Sequence, residues 1–425
     1  MRLNGTRFLS ALVLALAPTA LATTTWYVNG VRGSDSNNCS SAPTACKTIG
    51  HAILLAASGD SIVVAPAIYT ENLTIGKSLK VIGFGASAPI IDGRRLGTVV
   101  TISNTGAHVT ISKVTIRNGA ASFGGGVSNL GMLTLSHVII RGNRASLSCM
   151  NTCSARGGGI YNLGMLTIND STITQNSVQV TGCAQTGLHL CGVSATGGGI
   201  YQPTGRLTIN NSTISRNSTN GKCLVRSHCF AQVQGGGILN FTLVSINTST
   251  ISGNTPSGIY SFGGTVAINN STISENGGLG PAIVNDPAST MMTINNSTIS
   301  ENLGEGIGVG ARVQNSIVAN NLGFNCVGSM TSKGYNLSSD KSCNFNGPGD
   351  MNNISPMLGP LQNNGGPTQT QALLPGSPAV DAGDPSGCRD NHGHLLKTDQ
   401  RGKPAPTRRT KPAVTSERLN FRVTS

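Results

Sequence analysis

A right-handed parallel β-solenoid is the fold this sequence predicts, on three observations: a phrase that recurs along the chain, strand-like alternation within it, and cysteines placed mostly in the long gaps between copies. GGGVSNLGMLTLSHVIIRGN (Gly124 to Asn143), GGGIYNLGMLTINDSTITQN (Gly157 to Asn176), GGGIYQPTGRLTINNSTISRN (Gly197 to Asn217) and GGGILNFTLVSINTSTISGN (Gly235 to Asn254) are variants of one unit, and shorter echoes end at Asn276, Asn302 and Asn320. A unit of about twenty residues cannot bury its apolar face alone and must stack on copies of itself.

The chain opens with Arg2 and Arg7, an apolar run from Phe8 to Ala17, and Ala20-Leu21-Ala22. This is the pattern of a secretory leader covering 1–22. The run is too short to span a bilayer, and no later stretch reaches the ~20 apolar residues a membrane helix needs. Residues 23–100 are then expected to hold an N-terminal cap and the first coils. Within them KTIGHAILLAAS (Lys47 to Ser58) has helical spacing at Ile49, Ile53, Leu54 and Ala57, suited to a short helix covering the open end of the first coil. GDSIVVAPAIYTENLTI (Gly59 to Ile75) reads as strands.

The repeats occupy 101–322. In LTINNSTIS (Leu207 to Ser215), Leu207, Ile209 and Ile214 can point one way while Thr208 and Asn210 point the other, which is a strand pattern with one buried face. The intervening Asn and Gly break it into short strands and supply left-handed backbone for tight corners. Stacked coils lie about 4.8 Å apart, so Asn143, Asn176, Asn217, Asn254, Asn276 and Asn302 fall at one corner, where amides can bond along a ladder. Right-handedness follows from the crossover preference of parallel strands.

Eleven cysteines allow five neighbouring pairs, Cys39 with Cys46, Cys149 with Cys153, Cys183 with Cys191, Cys223 with Cys229 and Cys326 with Cys343, and leave Cys388 as a free thiol or as part of a shuffled pairing. Three pairs sit in the long gaps after Asn143, Asn176 and Asn217, whereas the short gap after Asn254 has none. Each bridge thus restrains one floppy insertion in an oxidising compartment. His189 and His228 among these thiols raise a metal alternative, but no loop has compact four-ligand spacing, and neither a metal nor a cofactor is expected.

Residues 323–399 are Gly/Pro/Asn-rich and are expected to close the far end, and 400–425 form a basic tail with the composition of a solvated terminus. Net charge is +13, and the stretch from Arg389 onward carries nine Lys/Arg against Asp390, Asp399 and Glu417, so the excess is concentrated there. An aromatic content of 4% and the lack of a recognition motif argue against nucleic acid.

WYVNGVRGSDSNNCSSAPTACKTIGHAILLAASGDSIVVAPAIYTENLTI (Trp26 to Ile75) resembles the opening of pectin-lyase-like, right-handed parallel β-helix proteins, in which a helix caps the first coil. The GGGIYN and LTINNSTISRN phrases resemble repeats of secreted bacterial β-helix proteins, including those related to polymorphic outer-membrane proteins. SPMLGPLQNNGGPTQTQALLPGSPAVDAG (Ser355 to Gly383) with TDQRG (Thr398 to Gly402) is similar to the choice-of-anchor Q type of C-terminal module. The resemblance implies an all-β fold and a secreted or cell-envelope setting, on the bacterial outer surface or in the periplasm.

Enzymes of the resembled fold carry acidic clusters, whereas Asp170, Glu275, Asp286, Glu301 and Glu305 are the only acids between Gly93 and Asn321. Glu275 and Glu301 hold the same place in two STISEN strings, so stacking sets them about 5 Å apart, near the spacing of a retaining glycosidase. Arg216 holds that place in an earlier coil, and a solvent-facing charge column explains all three. Asp384, Asp390, His392 and His394 form another polar cluster, which reads first as a hydrophilic loop. The three cysteine loops should pile up on one flank and present Arg144, Arg156, Lys222 and Arg226, with no acid, to an acidic polysaccharide or cell-envelope polymer. Tyr161, Tyr201 and Tyr260 read as repeat positions before they read as a glycan platform. The leading reading is an exported, non-catalytic scaffold that binds an anionic polysaccharide. Its rival is a polysaccharide lyase or glycoside hydrolase.

Overall fold

The computed structural model describes residues 23–183, 191–224, 229–278, 280–286 and 291–404. The leader, Arg226, His189, His228 and residues 405–425 lie outside them. The chain winds through three long sheets whose strands are all parallel: a first of 12 strands, a second of 12 and a third of 10. One coil visits them in turn, as in Met165–Asn169, Thr172–Thr174 and Ile200–Gln202. The architecture is a parallel β-helix.

Like stacks on like because the register is exact from rung to rung. In the first sheet Leu135 pairs with Ile168, then Ile209, Ile246, Ile268 and Ile294. Ile140, Ile173, Ile214, Ile251, Ile273 and Ile299 do the same in the second. Ile160, Ile200, Ile238, Ile259, Ile283 and Ile307 do so in the third. All are buried, so three aliphatic columns, β-branched Ile at every named position but Leu135, fill the tube.

The expected ladder is present at the corner after the second sheet. Asn143 Nδ2 donates to Asn176 Oδ1 at 2.9 Å, Asn176 to Asn217 at 3.0 Å, Asn217 to Asn254 at 3.0 Å, Asn254 to Asn276 at 2.9 Å and Asn276 to Asn302 at 3.2 Å. The next member is Asn321, not Asn320, with Asn302 donating at 2.8 Å. Asn320 instead takes the preceding left-handed position, φ 56°. That position is not reserved for Asn and Gly: Gln175, Arg216, Glu275 and Glu301 hold it at φ 53–60°. Burying the ladder beside them fixes the corner whatever the side chain. A second amide row links Asn169, Asn210, Asn247, Asn269 and Asn295 with the donors reversed, each Nδ2 reaching the coil before it at 2.9–3.1 Å.

At the N-terminal end Ile49–Leu55 is helical, started by Thr48, whose side chain accepts from His51 N. Glu71 accepts from Ile49 N and Gly50 N at 2.9 and 2.7 Å. The helix buries Ile49, Ala52 and Ile53. Leu54, expected on that face, is 78% exposed, and Ala57 is exposed too, because the backbone turns extended at Ala56 and the helix ends early. Asp60 ties this cap together by accepting from Thr24 N, Trp26 Nε1 and Ala57 N, each at 2.8 Å.

The five disulfides form as paired above, and Cys388 is a buried free thiol. The stretch after Asn321 does two things. Coils continue to Met351–Asn352, and the chain then runs back along the outside of the second sheet as a strap. Leu358–Gln362 and Thr370–Leu373 pair antiparallel, with Leu373 packed on Ile317 and Leu337. Gln369 O accepts from Thr250 Oγ1, Arg389 O from Asn296 Nδ2, and Asn391 exchanges bonds with Asn269. Gln400 is buried against Thr250 and Thr272. No helix among the described residues is long and apolar enough to cross a membrane.

Candidate functional site

The three cysteine loops are built, not floppy. Each leaves the ladder corner as a strand and returns as another: Arg144–Ser148 with Cys153–Arg156, Ser177–Gly182 with Cys191–Thr196, and Ser218–Cys223 with Cys229–Gln234. Outgoing strands, with Ala120–Ala121 above them, make a four-stranded parallel sheet, and returning strands make a three-stranded one. Between the two lies a small core of Ala145, Ala155, Val178, Val180, Val193 and Ala195. A disulfide closes each pair near its tip. The result is a lateral fin with two outer faces.

Strand alternation decides which charges meet. Ala145 and Ala155 point into the fin core, so Arg144 lies on the outer face of the outgoing sheet and Arg156 on that of the returning sheet. Lys222 shares parity with Ser218, the register partner of Arg144 through Ser177, and so lies with Arg144. Arg226 is outside the described residues. The single basic wall expected from the loops is therefore split between two faces, because out-and-back strands turn their side chains opposite ways. Arg144 Nε is buried with no hydrogen-bond partner.

The returning face meets the outer face of the third sheet across the Gly triplet. There an aromatic row climbs the stack: Phe123 to Tyr161 at 5.5 Å, Tyr161 to Tyr201 at 5.5 Å, Tyr201 to Phe241 at 5.9 Å and Phe241 to Phe262 at 5.6 Å between ring centroids, with Tyr260 beside Phe262. Arg156 sits over Tyr201 at 5.2 Å, so the fin and the row share one recess. Gln232 Nε2 donates to Gln234 Oε1 at 2.8 Å on the same fin face. Phe230, 62% exposed, lies against Gly192, where a Cβ would fall 2.8 Å from its ring. Burial pushes the Tyr201 hydroxyl pKa up, against the pull of Arg156, and burial followed by Asp286 pushes up that of Tyr260.

The tyrosines do belong to the repeat, and repetition is what aligns them. Sequence reasoning missed Phe123, Phe230, Phe241 and Phe262. The available signal was Phe123 immediately before the first Gly triplet, a position whose stacking partner is set by the coil above and not by its neighbours in sequence.

The carboxylates gather no comparable site. Glu275 and Glu301 follow the paired Ser274 and Ser300, in the left-handed corner column that also holds Gln175, Arg216 and Gly253. Burial and then the neighbouring Glu275 push the Glu301 pKa up. Asp390 accepts from His392 N and His394 N at 2.9 Å and faces His394 Nδ1 at 3.2 Å, while Asp384 accepts from Ser386 N and Oγ; each acid closes its own turn. Burial opposes the Asp390 charge, but these bonds outweigh it and hold its pKa below the ordinary range. Among the described residues, metal-sized groupings occur at Cys39, Cys46 and His51 and at Cys183, Cys223 and Cys229, and every one of those sulfurs is in a disulfide. A cavity of about 240 Å³ is lined by Gly83, Gly85, Lys113 and His137 among others, and it touches none of these acids.

No protein-family model and no curated protein matches the chain. Among solved structures it is similar to a rhamnogalacturonan lyase, at 11% identity over 83% of this chain and 96% of that one, with a TM-score of 0.46. It is also similar to the GH136 lacto-N-biosidase from Eubacterium ramulus, at 9% identity over 72% of this chain and 65% of that one, with a TM-score of 0.31. This chain thus spans about two thirds of the biosidase chain.

Proposed function

We propose that this is an exported, non-catalytic scaffold that binds an anionic polysaccharide lying along the stack in the recess between the fin and the third sheet. The observation that carries this reading is Arg156 poised over Tyr201, a cation from one surface beside an aromatic row on the other. From Phe123 to Phe262 the row crosses several coils, so it offers a straight track of about 20 Å. Tyr161 and Tyr201 stack face to face, the other consecutive rings of the row tilt or meet edge-on, and Gln232 and Gln234 supply amides on the facing fin surface. A carboxylate on the chain suits the Arg156 guanidinium. The leader pattern and the five disulfides support an oxidising location outside the cytoplasm.

Retention on immobilised acidic polysaccharides, set against neutral ones, tests this. Arg156→Ser should weaken retention at least tenfold and flatten its salt dependence, whereas Arg144→Ser with Lys222→Ser, on the other fin face, should change it little. Equal effects from both variants, or none from Arg156→Ser, would remove the recess. The raised Glu301 pKa beside Glu275 favours a second reading, a lyase or hydrolase using this pair as acid and base. Assays for unsaturated and reducing ends decide it: turnover that vanishes in Glu275→Gln or Glu301→Gln overturns the non-catalytic scaffold.

A further inference from the structure

Among the described residues the fin is roofed at its upper end by Ala120–Ala121 and has no floor. Its last strands are Ser218–Cys223 and Cys229–Gln234, because the next coil passes from Asn254 to Gly258 without an insertion. Hydrogen-bond direction shows which backbone groups face the opening. Gln234 turns its carbonyl up to Gly197 N at 3.1 Å. Alternation therefore points the N–H and C=O of Ala231 and Val233 down, away from the paired strand Cys191–Thr196. On the outgoing side Thr219 N points down and finds Thr255 O, which leaves Gly221 and Cys223 turned the same way beyond it.

The apolar lining stops as abruptly. Ala195 is 0% exposed and Val193 1%, yet their partners one rung lower, Val233 and Ala231, are part-exposed and exposed. A disulfide already holds each strand pair, so the ordering that opposes addition of another strand falls on the incoming segment and not on the fin. The three loops contain Arg144, Arg156, Lys222 and Arg226 and no acid.

We propose that this open end takes an extended, acid-flanked peptide segment of a partner protein as an added parallel strand beside Cys229–Gln234. Two features fix its chemistry. Inward positions continue the Ala195–Val233 and Val193–Ala231 columns and take small apolar side chains, and acidic flanks meet Lys222, the cation of the last outgoing strand, in a fin whose loops hold no acid. A second copy cannot stack here by axial repetition, since the coils from Asn254 onward occupy that path. This site is the fin's edge and does not depend on glycan binding in the recess.

The test uses the full mature chain and a fluorescein-labelled peptide, Asp-Asp-Ser-Phe-Ala-Gln-Val-Gln-Asp, which copies the last returning strand. Saturable anisotropy is expected, and Ala231→Pro, which removes an N–H aimed at the opening and none that pairs inside the fin, should weaken it at least tenfold. Should that variant misfold, two peptides N-methylated at complementary alternate residues decide instead: one loses binding and the other keeps it. No saturable binding up to about 1 mM, equal binding to Ala231→Pro, or equal binding of both methylated peptides overturns the proposal. Sedimentation showing peptide-free dimers that Ala231→Pro dissolves assigns the edge to a second copy and overturns it as well.

Discussion

Asn217 has no exposed surface to spare, and its amide is fully engaged: Nδ2 donates to Asn254 Oδ1 at 3.0 Å and to Ile173 O at 2.9 Å, while Oδ1 accepts from Asn176 N and Nδ2, both at 3.0 Å. Alanine there removes four buried hydrogen bonds, with Asn254 Oδ1 keeping the Asn217 N–H and Asn176 Nδ2 keeping Ile140 O. Asn217→Ala is expected to cost about 2–4 kcal/mol in denaturant unfolding. Asn210→Ala, in the half-buried second row, should cost about 1 kcal/mol. A loss near 1 kcal/mol for both would mean that the corner is held by backbone pairing alone. The ladder was legible in the sequence because one residue type recurred at one spacing. The tolerance of Glu275 and Glu301 for φ near 60° was not, since that conformation is imposed by the buried corner and not by local propensity.

The N-terminal cap shows how one carboxylate joins three elements. Burial disfavours the Asp60 charge, but bonds from Trp26 Nε1, Thr24 N and Ala57 N, aided by Lys77, outweigh it and hold its pKa below the ordinary value. A depressed folded pKa contributes stability that is complete above the unfolded value near 4 and is lost as pH falls through the folded one. Trp26 is the only tryptophan, so its fluorescence reports the cap. Acid titration should release Trp26 below about pH 4 in the native chain, and Asp60→Asn should show that release already at neutral pH with a flat profile. An unaltered acid profile in the variant would place the sensitivity elsewhere. The capping role of KTIGHAILLAAS was readable, whereas its exposed Leu54 was not, because seven helical residues give too little periodicity to place a face. The fin hid for a related reason. Its strands are rich in Ser, Thr, Gly and Cys, residues that announce loops, and only their stacking makes a core.

At the scale of the molecule, the fin clads the flank of the earlier coils and the strap clads the second sheet of the later ones. The strap residues were readable as a distinct module, but a module that runs antiparallel to the stack leaves no periodic trace. Truncation after residue 354 should strip amide-exchange protection from the second-sheet strands at Thr250–Ser252, Thr272–Ser274 and Thr298–Ser300, and spare Thr172–Thr174 and Thr213–Ser215. Uniform loss along the stack, or none, would deny the strap its local role.

The two amide rows also run with opposed polarity. In the corner row every donor points toward the C-terminal coils, and in the first-sheet row toward the N-terminal coils. Side-chain dipoles that would otherwise sum with each added rung instead cancel pairwise. Between Asn169 and Asn295 a rung bearing both amides can therefore be added without these two rows building an axial dipole, whereas the Asn129–Asn162–Gln202 row of the upper third sheet runs unopposed.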